Sequence, residues 1–447
     1  MTSFHEGYEP MDHQHDFSAD MTAAISSVWG RLAKTPIVRG EGSRVYDIEG
    51  RSYLDFTSGI GVTATGHCHP VVVQAVQDQA SKLLFGQMNC MLPEKTVEYS
   101  HVIREATPES IDTFFFSNSG SEAVEGAIKL AKVATGRPNV IAFQGGFHGR
   151  TAMTMALTSS KGIYREGYQP LPAGVFFSSF PCAFRDQCDP DTAIKTALAD
   201  LERLLKTQTM PSETAAMLIE PVLGEGGYLP APKAFLQGLR EVCDRTGILL
   251  IVDEIQSGFA RSGHMWAHEP SGVKPDILVM AKGIASGLPM SAIGASSELM
   301  SKWQPGSHGG TYGGGSPLAM AAGLATLRVI HDEHLIENAA REGEYLSNRL
   351  RDCLSRLPHR TDVRGPGLMI GVELIGEHGP DKDFVTRLQH ECLDRGLMLL
   401  TCGIGGNVIR WIPPVNVSRS EIDEAIEIFD HSLNSVMESR AAVALTS

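Results

Sequence analysis

The sequence predicts a doubly wound α/β domain joined to a smaller α+β unit, and three observations carry that prediction. Between about residues 110 and 295, short apolar runs alternate with glycine-containing loops and amphipathic stretches. The runs are rich in β-branched side chains and almost continuously apolar, which is the pattern of parallel strands covered on both faces. Beyond about residue 330 this regular alternation gives way to a different texture.

In chain order, residues 1–20 carry five acids and three histidines without periodicity and read as an arm. The pair His13-x-His15 has metal-like spacing but lacks further ligands, so a solvated tail is expected. Val45–Thr65 reads as β-structure apart from the main sheet. Strands are then predicted at Thr113–Phe116, Val140–Phe143, Ala216–Ile219, Ile248–Val252 and Ile277–Met280. Between them, the 3.6-residue period predicts helices over Glu122–Ala134, Asp191–Leu205 and Lys233–Thr246. Pro317–Asp332 reads as a helix and 333–360 as another. A strand (Leu368–Leu374), a helix (Phe384–Arg395), a strand (Asn407–Trp411) and a last helix (Ser420–Glu438) follow. The expected division is residues 1–70 as arm and part of a small domain, 71–330 as a large domain, and 331–447 as the C-terminal small domain.

Composition excludes several function classes. With 447 residues, 42% of them hydrophobic, the chain is not intrinsically disordered. A formal charge of −14 without any basic block argues against nucleic acid or an anionic membrane as partner. The strongest apolar run, Ile248–Val252, is far short of the ~20 residues a membrane helix needs. Residues 1–30 contain no Lys or Arg, and eight scattered cysteines form no framework, so a reduced cytoplasm is expected.

In doubly wound sheets, ligands bind beyond the carboxyl ends of the strands, so the residues there are the candidates. Ile248–Val252 runs into Asp253-Glu254-Ile255-Gln256, placing a rigid carboxylate where it can pair with a positive charge. Ile277–Met280 runs into Ala281-Lys282-Gly283, where burial can lower a lysine's pKa and make it nucleophilic. Thr113–Phe116 opens into Ser117-Asn118-Ser119-Gly120-Ser121-Glu122 and a long helix, a turn with free N–H groups suited to phosphate. Val140–Phe143 leads to Gly145-Gly146-Phe147-His148-Gly149-Arg150, a stacking ring beside a cation. Each has an ordinary reading alone: helix cap, surface lysine, serine N-cap, core plug. Together they are the equipment that holds pyridoxal phosphate.

These residues and their order resemble the class III pyridoxal-phosphate aminotransferases, closest to the branch acting on 4-aminobutyrate and related ω-amino acids. The resemblance extends from about residue 35 through Val45-Tyr46-Asp47, Gly66-His67-Cys68-His69-Pro70, Asn118–Ala123 and Phe147–Thr151. It continues through Glu220-Pro221, Gly224–Gly227, Asp253–Gln256, Ala281–Gly283, Gly310–Tyr312, Val363–Gly365 and Asn407–Arg410. It implies the type I aminotransferase fold, whose large domain is a mostly parallel sheet and whose small domain combines both chain ends. Lys282 resembles the Schiff-base lysine and Asp253 the acid that keeps the pyridine nitrogen protonated. Phe147 and Ile255 would sandwich the ring, with His148 beside it and Gln256 near the phenolic oxygen. Gly120 and Ser121 would hold the phosphate. Thr311 resembles a phosphate contact from a neighbouring subunit, which implies a homodimer with shared active sites. No metal role falls on His67-Cys68-His69.

For substrate, Arg150 resembles the receptor of the ω-substrate carboxylate, with Ile60 lining the pocket. Glu225 and Arg410 resemble an exchanging pair: Arg410 takes the α-carboxylate of glutamate, and Glu225 covers it when an ω-amino acid is bound. The implied partners are an amino donor and a 2-oxo acid acceptor, 2-oxoglutarate or pyruvate. Two departures from the family pattern are Leu223, where Gln is usual, and the loop Gly313–Ser316, one residue longer and lacking an Asn before Pro317. Rival readings are a racemase, epimerase or decarboxylase using the same cofactor, an ornithine-type or broad amine transaminase, and a catalytically dead scaffold.

Overall fold

The computed structural model describes residues 25–310 and 312–444. The expected N-terminal arm, including His13 and His15, lies outside the described residues, as does Thr311.

The centre is a seven-stranded sheet in the order Thr113–Ser117, Ser291–Ala295, Ile277–Met280, Leu249–Asp253, Thr214–Ile219, Asn139–Phe143, Val175–Ser178. All neighbouring pairs are parallel except those of Ser291–Ala295, which is antiparallel to both its neighbours. The five predicted strands are present within two residues of their expected limits. The sequence reading lacked Val175–Ser178 and Ser291–Ala295. The latter, Ser-Ala-Ile-Gly-Ala, carries little apolar bulk because its site admits little: a β-carbon on Gly294 would lie 2.5 Å from Ile111 Cγ2.

Local sequence fixes the helices that flank the sheet. The helix Gly120–Thr135 starts at Ser119, whose side chain and that of Glu122 satisfy each other's backbone N–H, a capping box. It ends at Gly136, whose φ of +69° the absence of a β-carbon allows. Asp189 caps Pro190–Thr207, with Pro190 in the first turn where no N–H is needed. Lys233–Thr246 stops at Gly247, φ +68°. Pro317–Asp332 matches its expected limits and is capped by Ser316. Apolar faces of these helices close over the sheet, burying Ile251, Val279 and Leu218 completely.

Among the described residues three smaller sheets lie outside this layer, one of them the two-stranded pairing of Val222–Leu223 with Leu229–Pro230. Ile37–Glu41, Arg44–Asp47 and Ser52–Asp55 form an antiparallel meander, and Leu397–Met398 joins its edge in parallel, so distant parts of the chain share a sheet. The third comprises Arg360–Arg364, Ile370–Gly376, Val408–Trp411 and Leu400–Cys402, with Gly379–Pro380 paired to Ile370–Gly376, all antiparallel, and helices Leu335–Leu354, Lys382–Asp394 and Arg419–Ala444 nearby. The expectation of β-structure throughout Val45–Thr65 is corrected. Extended backbone ends at Asp55, and Gly59, Ile60 and Gly61 all take positive φ in a tight turn at Ser58–Gly61. His67 pairs with Asp55 at 2.8 Å and His69 with Glu333 at 3.0 Å. Among the described residues no helix is long and apolar enough to cross a membrane.

Candidate active site

The strand ends converge on one cavity of about 470 Å³. Ile60, Gly120, Ser121, Phe147, His148, Arg150, Glu225, Asp253, Ile255, Gln256 and Lys282 all line it. Arg410 reaches it through Glu225, its Nη1 lying 2.5 Å from Glu225 Oε1. Of the residues expected to hold the cofactor or substrate, Thr311 lies outside the described residues.

At the floor, the tip of Leu249–Asp253 presents Asp253, 3% exposed. Its Oδ2 lies 2.8 Å from His148 Nδ1, and its Oδ1 accepts from the Ile255 backbone N–H at 3.0 Å. His148 is fully enclosed; burial pulls its pKa down, but the hydrogen bond and charge of Asp253, with the charge of Glu220, together raise it. An anchored carboxylate of this kind suits a positively charged ring nitrogen.

Lys282 follows the strand Ile277–Met280 and opens a tight turn with φ +49°, a conformation that costs a non-glycine residue energy and persists at functional positions. Burial lowers its pKa from 10.5 to about 8; Arg410's charge adds to this, while Glu225, Glu220 and Asp253 oppose it. About one amine in ten is therefore unprotonated and nucleophilic at pH 7, far more than at the ordinary pKa.

The wall between these groups is built by close approach. A β-carbon on Gly120 would lie 2.9 Å from Ile255 Cδ1, and one on Gly149 would lie 2.2 Å from Ser121 Oγ. Ser121 Oγ accepts from the Arg150 N–H at 3.3 Å, joining the helix turn to the Phe147–Thr151 loop. Gln256 Oε1 is buried and has no hydrogen-bond partner among the described residues. The substitution at Leu223 leaves an apolar side chain, 2% exposed, packed toward Gly145.

Three groups in this wall were not singled out for a role by sequence reasoning. Glu220 sits at the tip of Thr214–Ile219 and bridges two loops, accepting from Phe147 N–H at 2.8 Å and Gly224 N–H at 2.9 Å. Burial, with Asp253 adding, raises its pKa. The strand-tip rule that located Asp253 and Lys282 would have found it. Tyr164 and Lys161 both contact Glu225 and lie in an irregular segment with no periodic signal.

The chain is similar to known proteins over most of its length. The family model described as aminotransferase class III matches residues 25–433. The 5-aminovalerate aminotransferase DavT of Pseudomonas putida is 40% identical over 411 residues, covering 91% of this chain and 95% of that protein. The 4-aminobutyrate aminotransferase GabT of Escherichia coli is 39% identical over 394 residues, covering 87% of this chain and 91% of that one. A solved ornithine aminotransferase from Toxoplasma gondii, described with partial occupancy of PLP at its active site, superposes with a TM-score of 0.83 at 29% identity, covering 94% and 95%.

Proposed function

The chain belongs to the class III aminotransferases, and from that premise we propose that it transfers the amino group of an ω-amino monocarboxylate to a 2-oxo acid. 4-Aminobutyrate is the leading donor, with its one-carbon-longer homologue 5-aminovalerate beside it, and 2-oxoglutarate or pyruvate is the acceptor. The observation that carries this reading is the Glu225–Arg410 pair at 2.5 Å on the wall of the cavity that also holds Lys282. A two-substrate cycle needs a carboxylate receptor for the 2-oxo acid that is neutralised when the donor lacks an α-carboxylate. A racemase, with one substrate, has no need of such a pair.

The residues fit pyridoxal phosphate. The orphaned Gln256 Oε1 awaits a hydrogen-bond donor, the cradle at Gly120 would be filled by a β-carbon, and Asp253 offers a fixed anion. In this reading Gly120 and Ser121 hold the phosphate at the start of Gly120–Thr135, and Phe147 and Ile255 flank the ring, with His148 and Gln256 beside it. When bound, the cofactor supplies an electron sink for the carbon that loses its proton. The chain supplies the rest. Lys282 Nζ, once freed, takes the proton from the substrate's amine-bearing carbon. Asp253, oriented by His148, stabilises positive charge on the ring nitrogen. Arg150 binds the carboxylate of the ω-amino acid beside Ile60, and Arg410 binds that of the 2-oxo acid.

The reading includes a homodimer with shared sites, in which Thr311 reaches the neighbouring subunit's phosphate. It is supported by the exposed apolar side chains Leu84, Met91 and Leu92 near that loop, where Phe85 packs on Tyr312 with ring centroids 5.2 Å apart. Residues 71–330 would form the large domain and the two chain ends the small one, in a cytoplasmic enzyme. Glutamate formation from 2-oxoglutarate with a panel of donors tests the function. 4-Aminobutyrate and 5-aminovalerate are expected to outpace N-acetylornithine and ornithine; the reverse order moves the enzyme to the ornithine-type branch.

A further inference from the structure

Glu225 is gripped from two sides. Its Oε1 accepts from Arg410 Nη1 at 2.5 Å, while its Oε2 accepts from Tyr164 OH at 3.0 Å and from Lys161 Nζ at 3.4 Å. Lys161 precedes the short helical turn Gly162–Tyr164 and Tyr164 ends it, whereas Arg410 comes from the strand Val408–Trp411. The Glu225 backbone is pinned. Its carbonyl accepts from Gly403 N–H at 2.9 Å, Arg185 donates to the Gly226 carbonyl at 3.0 Å, and Arg364 Nη2 donates to that of Gly227 at 2.6 Å. Only the side chain is left free to turn.

If Arg410 is to receive a substrate carboxylate, Glu225 must leave it. A carboxylate that is 12% exposed is strongly disfavoured if it leaves Arg410 and is left with no cation beside it. Lys161 and Tyr164 already touch the oxygen that faces away from Arg410, so a turn toward them keeps the charge paired. Tyr164 stays protonated, its pKa pushed up to about 12 by burial and by Glu225, and therefore remains a donor. Its ring also lies 4.5 Å from the Arg150 guanidinium and packs edge-on to Phe147 at 5.4 Å. We infer that Lys161 and Tyr164 are the berth onto which Glu225 moves when Arg410 takes the 2-oxo acid. They are thus positioning residues that set the balance between the two half-reactions. The inference rests on the proposed exchange of Glu225 and a substrate carboxylate at Arg410.

Equilibrium binding to the holoenzyme tests this without turnover, using glutarate as an unreactive dicarboxylate and valerate as an unreactive monocarboxylate in titration calorimetry. Lys161→Met is expected to weaken glutarate about tenfold while valerate changes by less than about twofold, and Lys161→Arg to recover most of the loss. Tyr164→Phe, which keeps the ring under Arg150, gives a smaller loss in the same direction and carries the test where Lys161→Met does not fold. Equal weakening of both ligands would make Lys161 a direct ligand contact, and unchanged glutarate would remove it from the exchange; either result overturns the berth and leaves the wider reading intact. Wild-type enzyme that binds glutarate no tighter than valerate overturns Arg410 as receptor, and the berth with it.

Discussion

His148 Nδ1 and Asp253 Oδ2 lie 2.8 Å apart, with side chains only 1% and 3% exposed. The pair closes the floor of the cavity, and the imidazole fixes which way the carboxylate faces. A buried carboxylate with one oxygen on a histidine and the other on the Ile255 N–H has little freedom to reorient. Its one task in the proposed cycle is electrostatic, and that separates it from Lys282. Asp253→Asn is expected to retain cofactor, followed by its absorbance after gel filtration, yet to lose activity by about a hundredfold or more. Turnover close to wild type would remove Asp253 from that role.

Lys282 makes a prediction about pH. Its folded pKa of about 8 lies below the ordinary 10.5, so the unfolded chain binds more protons between those values and stability rises with pH across that window. The cost of burying the ammonium is fully present below about pH 8. In cofactor-free protein, Lys282→Met is therefore expected to be more stable than wild type by about 3 kcal/mol at pH 7. The gap should narrow as pH rises from about 8 toward 10. Urea unfolding over that range checks it, and a gap independent of pH contradicts it. The same variant should have no transaminase activity.

Gly149 is set so that a methyl group is intolerable. Its φ is +138°, and a β-carbon would stand 2.2 Å from Ser121 Oγ and 2.6 Å from Thr154 Oγ1. Gly149→Ala should displace the Ser121 hydroxyl and weaken pyridoxal phosphate about tenfold or more, read by fluorescence quenching on reconstitution. Unaltered affinity would place the phosphate elsewhere.

Neutralising Glu225 should act on one half-reaction. Glu225→Gln leaves Arg410's charge uncovered while an ω-amino acid is bound, so kcat/KM for 4-aminobutyrate should fall about tenfold and that for 2-oxoglutarate should hold or rise. Rapid-mixing measurements of each half-reaction distinguish this from a general loss, which would contradict the exchange.

Much of this site was legible because its parts sit at the ends of buried strands. Asp253 and Lys282 follow continuous apolar runs, and Ser119–Glu122 announces a helix start by its capping residues. The rest depends on tertiary contact. Ser291–Ala295 hides its strand behind small residues that its neighbours demand. Ile60 sits at φ +67° in a turn that reads as a continuation of β-structure. Lys161 and Tyr164 gain meaning only from Glu225, about sixty residues further along the chain. Pairing across such distances leaves no period to read.

The central claim is tested most directly by the visible absorbance of the purified holoenzyme, titrated first with 4-aminobutyrate or 5-aminovalerate and then with 2-oxoglutarate or pyruvate. The account predicts that the donor bleaches the bound cofactor's yellow colour with release of a semialdehyde, and that the 2-oxo acid restores it. Colour that neither donor bleaches, together with an α-amino acid that loses its chirality on incubation, would contradict it.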